Sequence, residues 1–203
     1  YNGAVWIADL ERGTLSPMSR DSMENFWSAW TPDGEHVVSV GGGMSEDLSV
    51  GLYSRRLDRV GAAVPVTQAG SSRWHQPYSF TAAGSLLLFQ QSEMGVDHDI
   101  WVLPWSDGGD PWPFLATPAE EYHPAISPDG RWLAYVSDES GQPEVYLTDF
   151  PDGATRRLVS VGGGSSPTWA SDGRELLYRR PVEGQVAMIS VGLESSEDGI
   201  ELG

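Results

Sequence analysis

The sequence predicts an all-β fold, a β-propeller of four-stranded antiparallel blades, and three observations lead there. A strand–turn–strand unit recurs four times, with its turn glycines Gly34, Gly84, Gly130 and Gly173 standing 50, 46 and 43 residues apart. A period in the forties with several short strands per repeat is the mark of propeller blades. Apolar residues follow each turn at a spacing of two, which puts them on one strand face, and no stretch shows the apolar period of a helix of useful length.

The elements follow in order. Val5–Leu10 and Thr14–Met18 match the third and fourth strands of a blade, so residues 1–20 make a half-blade. Fuller blades are expected at about 21–68, 69–117, 118–160 and 161–203, all within one propeller region spanning 1–203. In each, the first strand carries a bulky apolar side chain four residues before the glycine: Trp30, Phe80, Ile126 and Trp169. The second strand puts Val37, Leu87, Leu133 and Leu176 on the same face as Ser39, Phe89, Tyr135 and Tyr178. Third strands are expected at Val50–Tyr53, Ile100–Leu103, Val145–Thr148 and Val186–Ser190, and a fourth segment such as Ala154–Val159 completes the blade. Both ends of the chain offer outer strands. The expectation is a piece of a larger propeller, about four and a half blades, with an open edge available for association.

The turns have their own chemistry. Pro32 and Pro128 pre-set the backbone for a tight turn, Asp33, Asp129 and Asp172 can accept backbone N–H bonds, and the glycines take the positive φ. Repetition in three of the four turns assigns these aspartates to the turns and not to a metal or a catalytic role. Thr81-Ala-Ala-Gly84 lacks the aspartate and is expected to be the weakest hairpin.

Composition bounds the function. With 203 residues and 39% hydrophobic content the chain can bury a substantial core, and without cysteine it has no disulfide, thiolate metal site or cysteine nucleophile. The net charge is −17 and all twelve cations are arginine, a surface that repels nucleic acid and anionic lipid. No run of eighteen apolar residues is present to span a membrane, and Tyr1–Val5 lacks signal-peptide features.

In a propeller the first strand of each blade lines the central channel, and the residues leading into it build the entrance. Those singled out as ligand-binding candidates are Trp27, Trp74, His75, Gln76, Glu121, His123 and Ser166. Their aromatic, imidazole, amide and carboxylate groups suit a peptide or a small polar ligand. His98, in Asp97-His-Asp99, is weighed as a cation ligand and read as an exposed turn; no metal or cofactor is expected. Gly41–Gly43 and Gly162–Gly164 are read as loop-shaping, since no lysine follows to make a phosphate loop.

Ser127-Pro-Asp-Gly-Arg-Trp-Leu-Ala-Tyr-Val-Ser-Asp-Glu-Ser-Gly141, followed by Glu144–Phe150, resembles the TolB-type, WD-repeat-like propeller repeat. Tyr122–Arg180 is similar to propellers attached to bacterial serine/threonine kinases. Departures are Ala82-Ala83 in place of Pro-Asp and a divergent stretch at Met44–Val66. The resemblance implies a non-catalytic interaction or sensing module of the bacterial envelope, periplasmic or otherwise extracytoplasmic, with a protein or peptide partner. The alternative is the substrate-gating propeller of a prolyl-oligopeptidase-type serine peptidase; the Gly-x-Ser-x-Gly elbow of its catalytic domain is not in this sequence.

Overall fold

In the computed structural model the described residues are 5–18, 24–42, 50–57, 63–68, 73–93, 96–106, 108–196 and 199–203. They form strands and connections, with no helix among them. A two-stranded unit pairs β1 (Trp6–Asp9) with β2 (Thr14–Pro17). Four antiparallel four-stranded sheets follow. The first is β3 (Glu24–Trp30), β4 (His36–Gly42), β5 (Gly51–Arg56) and β6 (Val64–Pro65). The second is β7 (Arg73–Phe80), β8 (Leu86–Glu93), β9 (Val96–Pro104) and β10 (Trp112–Leu115). The third is β11 (Glu121–Ile126), β12 (Trp132–Ser137), β13 (Glu144–Asp149) and β14 (Arg157–Leu158). The last is β15 (Ser165–Trp169), β16 (Glu175–Val182), β17 (Gln185–Ser196) and β18 (Gly199–Leu202). Within each sheet the strands lie in chain order, the meander of a propeller blade.

The turn glycines all take positive φ, between 69° and 74°, and each donates its N–H to the residue three before it. Asp33, Asp129 and Asp172 each accept from the backbone N–H two residues on, so these carboxylates are used locally. Where Ala82 and Ala83 interrupt the pattern, Thr81 Oγ1 accepts from Leu86 N at 3.2 Å and the turn keeps its shape.

The core lies between blades, and the pleat decides who faces whom. Leu87 and Phe89 of β8 pack back against Val38, Val40 and Leu52, while Leu88 between them packs forward with Leu133, Tyr135 and Tyr146. In β12, Leu133 and Tyr135 face back, and Ala134 and Val136 face forward onto Leu176, Tyr178 and Ile200. Both strand faces are therefore dry, each side chain serving one of two interfaces. The bulky residues before the turns are less uniform. Phe80 is buried, Trp30 is half exposed, and Trp169 ties its blade to the previous one through Nε1–H donated to Ala125 O at 2.9 Å.

The fourth strands are shorter than the sequence suggests. Only Arg157 and Leu158 of Ala154–Val159 pair as strand, because Asp149 captures Thr155 through its amide and hydroxyl and holds the start of that segment in a loop. After each short strand a buried hydroxyl closes the blade: Thr67 Oγ1 accepts from Leu52 N at 3.1 Å, and Ser160 Oγ from Val145 N at 2.7 Å.

Candidate binding cleft between the first two full blades

Each innermost strand carries one extra residue against its partner. The register slips between Phe26 and Ser28, Pro77 and Ser79, Tyr122 and Ala125, and Ser165 and Thr168. This is a β-bulge repeated in four blades. In three of them a non-glycine residue takes positive φ at the bulge: Trp27 at 36°, His123 at 53° and Ser166 at 51°. Proline cannot adopt that conformation, and in the second blade Pro77 holds the equivalent place while Tyr78 becomes the extra residue.

Between the first two full blades these strands open a cleft of about 450 Å³. Trp27 and Trp74 flank it, 55% and 46% exposed. Its other walls are His75 and Gln76 from β7, Val40 from β4, Gln90 and Ser92 from β8, and His98 from β9. Gln76 Nε2 donates to the Tyr78 hydroxyl at 3.0 Å, which donates in turn to Gln90 Oε1 at 3.2 Å. Burial pushes the Tyr78 phenol far up, so it stays protonated and remains a donor.

His75 is buried. Its Nδ1 lies 2.7 Å from the Thr67 hydroxyl and its Nε2 lies 3.1 Å from Gln91 Oε1. An amide oxygen only accepts, so Nε2 carries the proton and Nδ1 accepts from Thr67. Burial holds the imidazole below its ordinary pKa, with the Gln91 bond opposing in part. His75 is thus a strand tie that shows one side to the cleft, not the freely exposed ligand group that its sequence position suggests.

The remaining candidates divide. His123 stands edge-on to Tyr78, ring centroids 5.9 Å apart, and to Tyr122 at 5.0 Å, and its Nδ1 is buried without a hydrogen-bond partner. Burial first, then the charges of His98 and Arg179, lower its pKa. Glu121 is 1% exposed and turns away to accept from the amide and hydroxyl of Thr117; burial raises its pKa. Ser166 sits on β15 outside the cleft lining. The fold therefore gathers Trp27, Trp74, His75 and Gln76, reaches His123 through Tyr78, and leaves Glu121 and Ser166 apart. Val40, Gln90 and Ser92 were absent from the sequence-based set, although the polar run Gln90–Ser92 at the end of an apolar strand is a visible signal.

Two metal readings meet occupied ligands. His98 Nδ1 lies 2.5 Å from Glu120 Oε2, and that carboxylate also accepts from the amides of Asp97 and His98. Partial burial works against ionising Glu120, but these bonds prevail and its pKa is lowered. Asp33, Glu35 and His36 lie close enough to share an ion. Asp33 is engaged by Thr31 and the Glu35 amide, however, and Glu35 pairs with Arg56 at 3.2 Å. The amides of Gly162 and Gly163 donate to Glu144 at 2.8 and 2.9 Å, so this glycine loop is already folded onto a carboxylate.

No family model matches the sequence. Over 75 residues the chain is 39% identical to the Tol-Pal system protein TolB of Polaromonas naphthalenivorans, a match covering 37% of this chain and 17% of that protein. Over 83 residues it is 37% identical to Tricorn protease homolog 1 of Streptomyces coelicolor, covering 40% of this chain and 8% of the relative. The crystal structure of TolB from Acinetobacter baumannii superposes with a TM-score of 0.67 at 20% identity, covering 98% of this chain and 48% of that one. The chain thus spans less than half the length of each of these proteins. The meander of four-stranded blades, the repeated hairpin and these likenesses agree: the chain is a TolB-like β-propeller.

Proposed function

We propose that this chain is a non-catalytic interaction module of a bacterial protein, which captures a protein or peptide partner, or a small ligand, at the channel entrance. An extracytoplasmic setting accords with the TolB likeness. The observation that carries the reading is the placement of Trp27 and Trp74. Two large aromatic side chains stand half exposed over a polar floor, Trp27 on a backbone conformation that glycine adopts far more readily. Backbone strain retained at a cleft is a reason to look for function there.

The hydroxyl–imidazole pair of Thr67 and His75 has the spacing of a nucleophile and base. It is buried, however, and the Thr67 oxygen already accepts from Leu52 N, so it supports a structural role and not catalysis. The strongly acidic surface supports a partner other than nucleic acid.

The test is a selection of random peptides displayed on phage against the folded chain. Peptides bound by the native protein should lose at least about tenfold in affinity on Trp74→Ala or His123→Ala, and little on Arg156→Ala with Arg157→Ala at the outer strands. Selected peptides that depend on the arginines and ignore the entrance residues would place the partner on the blade rim.

A further inference from the structure

The cleft between the first two full blades has a chemistry that narrows its occupant. Gln90 and Ser92 are 7% and 8% exposed, and both line the cavity. Gln90 Oε1 is taken by Tyr78, while among the described residues neither its Nε2 nor the Ser92 hydroxyl meets a hydrogen-bond partner. Gln76 spends its Nε2 on Tyr78, and among the described residues its Oε1 accepts from none. Gln90 and Ser92 are largely buried and Gln76 partly so, and all three line the cavity, so their open valences are available to a guest within it. They comprise one amide donor, one amide acceptor and one hydroxyl that can do both.

Charge then excludes two classes. No arginine lines the cleft and the chain carries −17, so an anion has nothing to pair with. A cation would find the two tryptophan faces, but it would meet the unused N–H of Gln90 at the floor, a donor facing a donor. His75 is held neutral by its burial and His98 is committed to Glu120. What fits is an uncharged guest with flat apolar faces for Trp27 and Trp74 and alternating donors and acceptors around its edge.

We infer that the Trp27–Trp74 cleft is a binding site for a neutral saccharide, one or two pyranose rings inserted edge-first between the tryptophans. The ring's C–H faces lie against the indoles, while its hydroxyls accept from Gln90 Nε2, donate to Gln76 Oε1 and exchange bonds with Ser92 Oγ. A peptide laid across the rim covers the tryptophans but leaves these floor groups unpaired, whereas a pyranose carries hydroxyls around its whole edge. The cavity volume of about 450 Å³ lies within the range of small-ligand sites. The inference rests on the reading of the entrance as a binding surface and names what one part of it holds.

The experiment titrates the intact chain with maltose, cellobiose and N,N′-diacetylchitobiose, read by tryptophan fluorescence and saturation-transfer NMR. Digalacturonate, glucosamine and triproline serve as charged and peptide comparators. At least one neutral disaccharide should bind with a Kd of about 1 mM or tighter. Trp74→Ala should weaken it about tenfold or more, and Ser92→Ala by a smaller factor, with melting temperature followed in parallel. Trp74 lies outside the strained backbone positions, so its variant should fold even if a Trp27 variant does not. The inference falls if none of the neutral disaccharides binds at about 10 mM, if binding survives Trp74→Ala, or if a charged sugar or triproline is preferred. Should the sugars fail while display-selected peptides still depend on Trp74 and His123, the saccharide is wrong and the binding role stands.

Discussion

The Thr67 hydroxyl and His75 Nδ1, 2.7 Å apart, bind the end of one blade to the innermost strand of the next. The same hydroxyl accepts from Leu52 N, so three segments meet at one oxygen. This junction sets the back wall of the cleft, and it makes the fold sensitive to the protonation of a single imidazole.

The pH dependence follows from that. The folded pKa of His75 lies below its ordinary value of 6.5, so the unfolded chain takes the proton more readily. Its contribution to stability is present above about 6.5 and is lost as pH falls below it; His123, also lowered, acts in the same direction. Melting temperature should decline between about pH 7 and 5, and His75→Gln, less stable at neutral pH, should show a flatter profile. A parallel slope in the variant would remove His75 as the cause.

Glu144 should be costly to change. Its carboxylate is the acceptor for Gln142 Nε2, Ser160 Oγ and the amides of Gly162 and Gly163. Glu144→Gln puts a donor where these donors converge and is expected to cost about 1–3 kcal/mol by urea denaturation. Desolvation opposes ionisation of Glu144, but the bonds outweigh it and lower its pKa. The native bonding should therefore contribute fully above pH 4.5 and fade as the solution is acidified further.

The hairpin at Ala82-Ala83 offers a gain. Ala83 occupies the place of Asp33 and Asp129, which accept from the backbone N–H two residues on, of Glu35 and Arg131, and from the Thr31 or Ser127 hydroxyl. Ala83→Asp should supply the missing acceptor and stabilise by about 0.5–1 kcal/mol, while Asp129→Ala should lose about 0.5–2 kcal/mol. Equal melting temperatures for Ala83→Asp and the native chain would show that Thr81 alone already satisfies this turn.

Gly51 is fixed by space. A Cβ there would lie 2.2 Å from the Thr67 carbonyl oxygen, a backbone atom that cannot step aside without moving the blade closure. Gly51→Ala is expected to destabilise by about 2–4 kcal/mol, measured by thermal or urea unfolding, and to disturb His75 through Thr67.

The blades were legible because their signals are local. The turn residues and the spacing of two in Leu87/Phe89 and Leu133/Tyr135 each encode a short stretch of backbone. The cleft was half legible. Trp27, Trp74, His75 and Gln76 follow from the rule that residues leading into first strands build the entrance. Gln90 and Ser92 do not, since they come from the far end of the second strand and reach the cleft only through pairing with Trp74 and Gln76. Glu121 shows the limit of the rule: its backbone is in place, yet Thr117 offers two donors and draws the carboxylate inward. Nor does spacing reveal that the inner strands bulge, because one inserted residue leaves the apolar pattern on either side intact.

That inserted residue separates two demands that a strand usually combines. At Trp27, His123 and Ser166 the chain steps out of the ladder and rejoins it within three residues, so the side chain there is released from the pairing that governs its neighbours in the sheet. Its size and polarity can change while the hydrophobic interfaces between blades keep their register. A tryptophan, an imidazole and a hydroxyl already occupy this one position in the first, third and fourth full blades of a single chain. The propeller thus behaves as a mount with exchangeable contacts, in which a new partner can be accommodated one blade at a time without redesigning the core.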